Sequence, residues 1–223
     1  MQSETIELLS VLLAGIIIGA INFKSSKRPF TLLFLLLIAT FTTEAMAEYF
    51  AHKYRNNLVV YHLFNPIEYA LFALIFYFLI ENRRFKTFIF CTIIVYIPLS
   101  ILNSLYIEPF SRNYINTNAI LTESILLVIF SLQVLYEILT SHTYQNIFGS
   151  SAFWLSMGVI LFFATNIFFW GYYNNFVNND QGVKIFYRIL FLENIVLYSL
   201  CALALWLVGG WKFNIKRKPI NPA

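Results

Sequence analysis

The stretch LVVYHLFNPIEYALFALIFYFLI, residues 58–80, decides the class of this chain. One carboxylate, Glu68, sits in an otherwise apolar and aromatic run. As helix, at 1.5 Å per residue, the run is long enough to cross a hydrocarbon core of roughly 30 Å. It is continuous rather than alternating, and far longer than the roughly 10 residues of a barrel strand, so a strand reading fails. Six further runs share its character: 5–23, 30–50, 85–106, 116–139, 152–176 and 185–210. The chain has 223 residues, 59% hydrophobic and 12% charged. A soluble domain carries about 25% charged residues, so this chain lacks the polar surface to face water all round. The expected fold is therefore all-α, a polytopic seven-transmembrane-helix bundle. Residues 1–211 form a single transmembrane domain and 212–223 a basic tail. The first segment opens with Glu4 and Glu7 and has no basic leader, so it reads as a span rather than a cleaved signal peptide.

Basic residues orient the bundle. Lys24, Lys27, Arg28, Arg83, Arg84, Lys86, Lys212, Lys216, Arg217 and Lys218 share one side, ten of the 15 in the chain. Lys53, Arg55, Arg112, Lys184 and Arg188 hold the other. The bias places the tail in the cytoplasm, the N-terminus outside and the protein in the cytoplasmic (inner) membrane. The net charge of +4 reflects an inner basic collar suited to anionic lipid headgroups, so the bilayer is the first partner. No basic stripe with interleaved aromatics supports nucleic-acid binding. The loops are too short for a soluble domain, so a signal would pass to a separate cytoplasmic or membrane partner protein. No phosphate-binding, dinucleotide-binding, HExxH or GxSxG pattern occurs, and no cofactor is expected. Cys91 and Cys201 form no CxxC pair and read as small apolar fillers.

Against this background the acids stand out. Glu44, Glu48, Glu68, Glu123 and Glu193 all fall in the outer half of their segments. An ionisable group inside the bilayer costs on the order of 2.5–3.5 kcal/mol by insertion scales, so such residues mark function by default. Helical rise places Glu44 roughly 9 Å, and Asn65 and Glu68 roughly 10–15 Å, below the outer boundary. Glu123, Asn166, Glu193 and Asn194 come to a similar depth. Glu44, Glu48 and His52 climb one face of their helix; Tyr61, Asn65, Glu68 and Tyr69 form a stripe on the next. Pro66 in that helix cannot donate to the His62 carbonyl, and a freed carbonyl in a membrane helix lines a cavity in many cases. The depths predict that Glu68 and Glu193 face each other across the interior as candidate acids. Glu44, Asn65, Glu123, Asn166 and Asn194 then supply the ligand-binding shell.

Blander readings stand beside these. Glu48 and His52 read as solvated near the interface, and His62 as a loop cap or a contact to headgroups. Asn166 and Asn194 suit interhelical bonding, at about 0.6 kcal/mol each. Phe168, Phe169, Trp170, Tyr172 and Tyr173 suit an interfacial belt. Glu81 and Glu137 fall at cytoplasmic helix ends, where solvation is the simpler role. A metal site draws on Glu44, Glu48, His52, His62 and Glu68, but di-metal bundles use Glu-x-x-His pairs and here the nearest spacing is Glu48-x3-His52. No metal is therefore expected.

The segment YHLFNPIEYALFALIFYFLIE, residues 61–81, resembles the Pro-x-Glu-Glu helix of the membrane-embedded lycopene cyclase domains. That family is built from two three-helix units, joined in some members through a linker helix. The resemblance implies a 3+1+3 pseudo-repeat, with YRILFLENIVLYSLCALALW, residues 187–206, as the second unit's equivalent helix. Glu193 then matches Glu68, and Glu44 and Asn166 hold equivalent places. Tyr69 and Asn194 stand where the family's second Glu would be, and Phe191 where its proline would be. The implied chemistry is proton-driven ring closure of a polyene with carboxyl groups as acids and no redox cofactor. The expected function is thus twofold. The first reading is an integral membrane protein binding a small or lipid-like ligand in an outward carboxylate-lined pocket, with a sensor subunit as one form of it. The alternative is a cofactor-independent membrane enzyme acting on an apolar isoprenoid substrate.

Overall fold

The computed structural model describes residues 3–112, 114–140, 147–171 and 180–209. Seven helices in it are long and apolar enough to cross a membrane, and no strand occurs among the described residues. They are α1 Ser3–Asn22, α2 Arg28–Tyr54, α3 Leu58–Leu79, α4 Arg83–Leu102, α5 Thr117–Thr140, α6 Ser151–Gly171 and α7 Asp180–Val208. The composition of these helices fits a multi-pass membrane protein. The tail 212–223, Tyr172 and Tyr173 lie outside the described residues.

Local chemistry sets the helix ends. Pro29 opens α2, where its missing N–H costs nothing. Arg55 closes α2 in the left-handed region at φ 54°, its N–H donating to the Ala51 carbonyl at 3.0 Å. α2 therefore runs past the span expected to end at 50, through His52 and Lys53. At the start of α4 the Asn82 side chain accepts from the backbone N–H groups of Arg84 and Phe85 at 3.0 and 3.3 Å. Glu137 of α5 reaches across to the same turn. Its carboxylate accepts from the N–H of Glu81 at 2.7 Å and of Asn82 at 3.2 Å, and from Gln133 at 2.9 Å. Glu137 is thus a tertiary cap, where solvation was the sequence expectation. The C-terminal end of α4 passes into a π-turn over Asn103–Ile107, so the helical span ends beside the start of α5.

Neighbouring helices pack in the order α1–α2–α3–α5–α6–α7, and α7 returns to α1. Six helices close a ring. α4 lies outside it on α3 and touches α5 only thinly. Close approach at the α1 seam uses Gly15 and Gly19, a small-xxx-small pair. A Cβ on Gly19 would fall 2.5 Å from the Phe34 ring of α2 and 3.3 Å from Leu205 of α7. The ring interior is divided along its length. Towards the α3–α4 turn it is filled by Leu33, Leu37, Phe76, Phe130, Leu155 and Leu205, each fully buried. Towards the α2–α3 turn it opens into cavities lined by polar residues.

Candidate functional site

A chamber of about 160 Å³ lies within the ring. Glu44 enters from α2, Tyr61, Asn65 and Glu68 from α3, Glu123 from α5, Asn166 and Trp170 from α6, and Asn194 and Tyr198 from α7. The spacings explain the convergence. Tyr61, Asn65 and Glu68 follow one face of α3, and Leu190, Asn194 and Tyr198 recur every fourth residue along one face of α7. A vestibule of about 490 Å³ shares Glu44, Tyr61, Asn65, Trp170 and Asn194 with the chamber. It widens to Glu4 and Thr5 of α1, to Asn57 and to Asn116, at the helix ends. The chamber is therefore reached from the end of the bundle that carries the α2–α3 turn. Phe163 lines the chamber and meets Phe72 edge-on at 5.6 Å between centroids, and Phe72 is fully buried, so aromatic packing adjoins the chamber.

The polar side chains divide into anchored and unanchored. The Tyr61 hydroxyl donates to Glu44 at 3.2 Å. Trp170 donates its indole N–H to Asn166 Oδ1 at 2.8 Å, and the Asn166 amide donates to the Phe162 carbonyl at 2.9 Å. Asn194 donates to the Leu190 carbonyl at 2.8 Å. The Tyr61–Glu44 bond joins α3 to α2, whereas the bonds of Asn166 and Asn194 stay within their own helices, so the interhelical role expected for these two amides is not what they make. Two atoms differ. Asn65 Nδ2 and Glu123 Oε1 are buried and have no hydrogen-bond partner. Leaving such a group unmatched costs about 1–3 kcal/mol, and both belong to residues that line the chamber. Glu123 is 2% exposed, and its other oxygen, Oε2, accepts from the Tyr96 hydroxyl at 3.3 Å.

Six of the seven residues singled out from the sequence, Glu44, Asn65, Glu68, Glu123, Asn166 and Asn194, line this one chamber. Glu193 does not, and the expected face-to-face pair with Glu68 is corrected accordingly. Its side chain lies beside Thr165 of α6, and neither carboxylate oxygen has a hydrogen-bond partner. The register explains this. Gly158 of α6 sits against Leu197 and Leu200 of α7, and two turns along the same antiparallel seam Thr165 meets Glu193. The Thr165 proton is committed to the Leu161 carbonyl at 2.6 Å.

Glu48 is likewise not simply solvated, since it accepts from Thr5 of α1 at 3.3 Å and lines the vestibule. His52 is exposed. A second polar group, absent from the sequence reading apart from His62, clamps α3, the end of α4 and the start of α5. His62 Nε2 meets the Tyr114 carbonyl at 2.8 Å and Nδ1 meets Ser104 Oγ at 2.9 Å. A carbonyl only accepts, so Nε2 carries the proton. Asn116 donates to Ser104 at 3.1 Å and Asn103 donates to Asn116. Glu108 accepts from Asn103 at 2.7 Å and from the Asn118 N–H at 3.0 Å. His62 is thus a loop cap, as its position suggested. The density of Asn and Ser at 103, 104, 116 and 118 was the available signal for the rest. Among the described residues no three His, Cys, Asp or Glu side chains are grouped so as to hold a metal ion.

Comparison with protein-family models, curated proteins and solved structures finds no match to this chain.

Proposed function

We propose that this chain is an inner-membrane protein whose chamber binds a small ligand, or the polar end of a lipid-like one, entering from outside through the vestibule. The carrying observation is the pair of buried, unpartnered atoms Asn65 Nδ2 and Glu123 Oε1 in residues lining one cavity. A donor and an acceptor without protein partners call for a guest that offers both. Glu44 and Glu68 add carboxylates to the same wall, and no Lys or Arg lines it. A guest rich in hydrogen-bond donors, such as an amine or polyol, suits that lining. The ten-to-five division of basic residues supports an outward-facing vestibule. Short loops support a role as sensor subunit for a separate partner protein.

The test is native mass spectrometry of the protein purified in mild detergent, beside Glu123→Gln. A bound adduct in the parent that is lost from a still monodisperse Glu123→Gln variant supports the reading. Identical spectra, with or without an adduct, count against it.

A second reading, acid catalysis on an apolar isoprenoid substrate, draws on Glu68. That residue follows Pro66 in α3 and reaches the chamber. The closed ring of α1–α3 with α5–α7, and α4 outside it, also suits two three-helix units joined by a linker. Glu193, off the chamber, would take no part. Incubation with lycopene in proteoliposomes distinguishes the readings, since ring closure shifts the polyene absorption and ligand binding alone forms no cyclic product.

A further inference from the structure

Outside the ring, where α4 touches α5 only thinly, a groove of about 400 Å³ extends from Phe88 to Ile107. At 1.5 Å per residue that is roughly 28 Å, close to the full hydrocarbon thickness. In a bilayer this face meets lipid. Val95, Leu99 and Leu126 form its walls, and no charged side chain lines it. At one end the amides of Asn103 and Asn118 line it, already bonded to Glu108, Asn116 and each other; the hydroxyls follow a single pattern. Thr92, Tyr96 and Ser100 recur every fourth residue on α4, and Thr122 faces them from α5. The Thr92 proton is committed to the Ile89 carbonyl at 2.7 Å and the Thr122 proton to the Asn118 carbonyl at 2.8 Å. Tyr96 donates towards the Ala119 carbonyl at 3.2 Å and Glu123 at 3.3 Å. These three hydroxyls therefore have only lone pairs left to offer. Ser100 is 4% exposed, and its hydroxyl lies beside that of Tyr96 without making a bond of hydrogen-bonding geometry.

We infer that the α4–α5 groove is a bilayer-side binding site for a neutral, single-chain amphiphile bearing a hydroxyl group, which accepts the free Ser100 proton and donates to a neighbouring lone pair while the chain runs along Val95 and Leu126. The committed hydroxyls offer lone pairs and Ser100 alone offers a proton, a combination that a hydroxyl, both donor and acceptor, matches; in hydrocarbon an unmet hydroxyl is costly. The absence of a lining cation disfavours phosphate and carboxylate headgroups. This site is separate from the chamber and does not depend on the proposed function; Tyr96 and Glu123 form the wall between them.

The full chain in phosphatidylcholine nanodiscs is exposed to oleyl alcohol carrying a photoreactive diazirine, and cross-linked peptides are mapped. Labelling concentrated in 88–107 and 118–126 is expected, displaced by unlabelled oleyl alcohol and by monoolein but not by phosphatidylglycerol or ionised oleate. Ser100→Ala weakens labelling about threefold, the loss of one modest hydrogen bond. Leu99→Trp, which fills the groove, weakens it more, and Glu68→Gln leaves it unchanged. Labelling spread evenly over α1, α4 and α6, or equal displacement by phosphatidylglycerol, means bulk lipid contact only and overturns the site. So does labelling that Ser100→Ala leaves intact, and this variant decides the matter if Leu99→Trp fails to fold.

Discussion

Glu193 and Asn194 share a peptide bond and serve different faces of α7: Asn194 lines the chamber, whereas Glu193 lies against Thr165 on α6 with both oxygens unpartnered. One residue along a helix is a rotation of about 100°. Depth estimates from the sequence treat the two as equivalent, and the α6–α7 seam separates them.

Glu193 is therefore a seam residue with an unmatched carboxylate. Glu193→Leu removes two unmatched oxygens and fills the same space with an apolar group. Thermal unfolding in detergent should show a gain of about 1 kcal/mol, and the proposed occupancy of the chamber should not change. Loss of the adduct in a stable Glu193→Leu protein would return Glu193 to the site.

The α1 seam gives the second prediction. Gly19→Ala places a Cβ 2.5 Å from Phe34, so helix α1 or the ring must shift. Overpacking of this kind costs about 1–3 kcal/mol. Gly171, with nothing within 4 Å of its Cβ position, is the control: Gly171→Ala should be neutral within error. Equal melting temperatures for the two variants would show that α1 is not seated against α2 and α7 in this way.

Glu137 is the subject of the third. Its carboxylate satisfies the Glu81 and Asn82 N–H groups at the α3–α4 turn. Glu137→Ala should cost about 1–3 kcal/mol, with Glu137→Gln recovering part, since an amide oxygen still accepts. Hydrogen exchange at Glu81 and Asn82 should rise in Glu137→Ala ahead of exchange elsewhere in α4. Unchanged exchange at that turn would mean the carboxylate is merely nearby.

The segments were legible in the sequence because length and apolar continuity are properties of single runs. Leu58–Leu79 in α3 was expected at 58–80, and α5 at 116–139 against Thr117–Thr140. Residues such as Asn65 and Glu123 were found by depth, a one-dimensional quantity that helical rise supplies. What escaped the sequence needs facing or a neighbour. Glu193 depends on the rotation of α7 against α6. Glu137 depends on a partner 56 residues earlier. The Asn103–Asn116 clamp depends on a π-turn that no local residue announces.

Orientation supplies the fourth prediction. Ser26→Cys and Asn179→Cys, each in a background lacking Cys91 and Cys201, should label oppositely with a membrane-impermeant maleimide. The Asn179 position reacts in intact cells, and the Ser26 position only after permeabilisation. The reverse pattern would turn the vestibule towards the cytoplasm and with it the source of any ligand.

Asn65→Leu separates a binding chamber from polar packing. The Asn65 Nδ2 is buried without a partner, so the side chain's hydrogen-bonding capacity is only partly used within the fold. If it is held for a guest, its replacement by an apolar side chain of similar size should leave the ligand-free protein as stable or about 1 kcal/mol more so, because an unmet polar group is removed. The same change should abolish the adduct that Glu123→Gln also loses. A structural role requires the opposite sign: Asn65→Leu would then lower the melting temperature, and Glu123→Gln with it. Stability measured on ligand-stripped protein, beside adduct occupancy on freshly purified protein, reads the two quantities independently. Destabilisation in the first with full occupancy in the second would identify the chamber's polar wall as packing and withdraw it as a site.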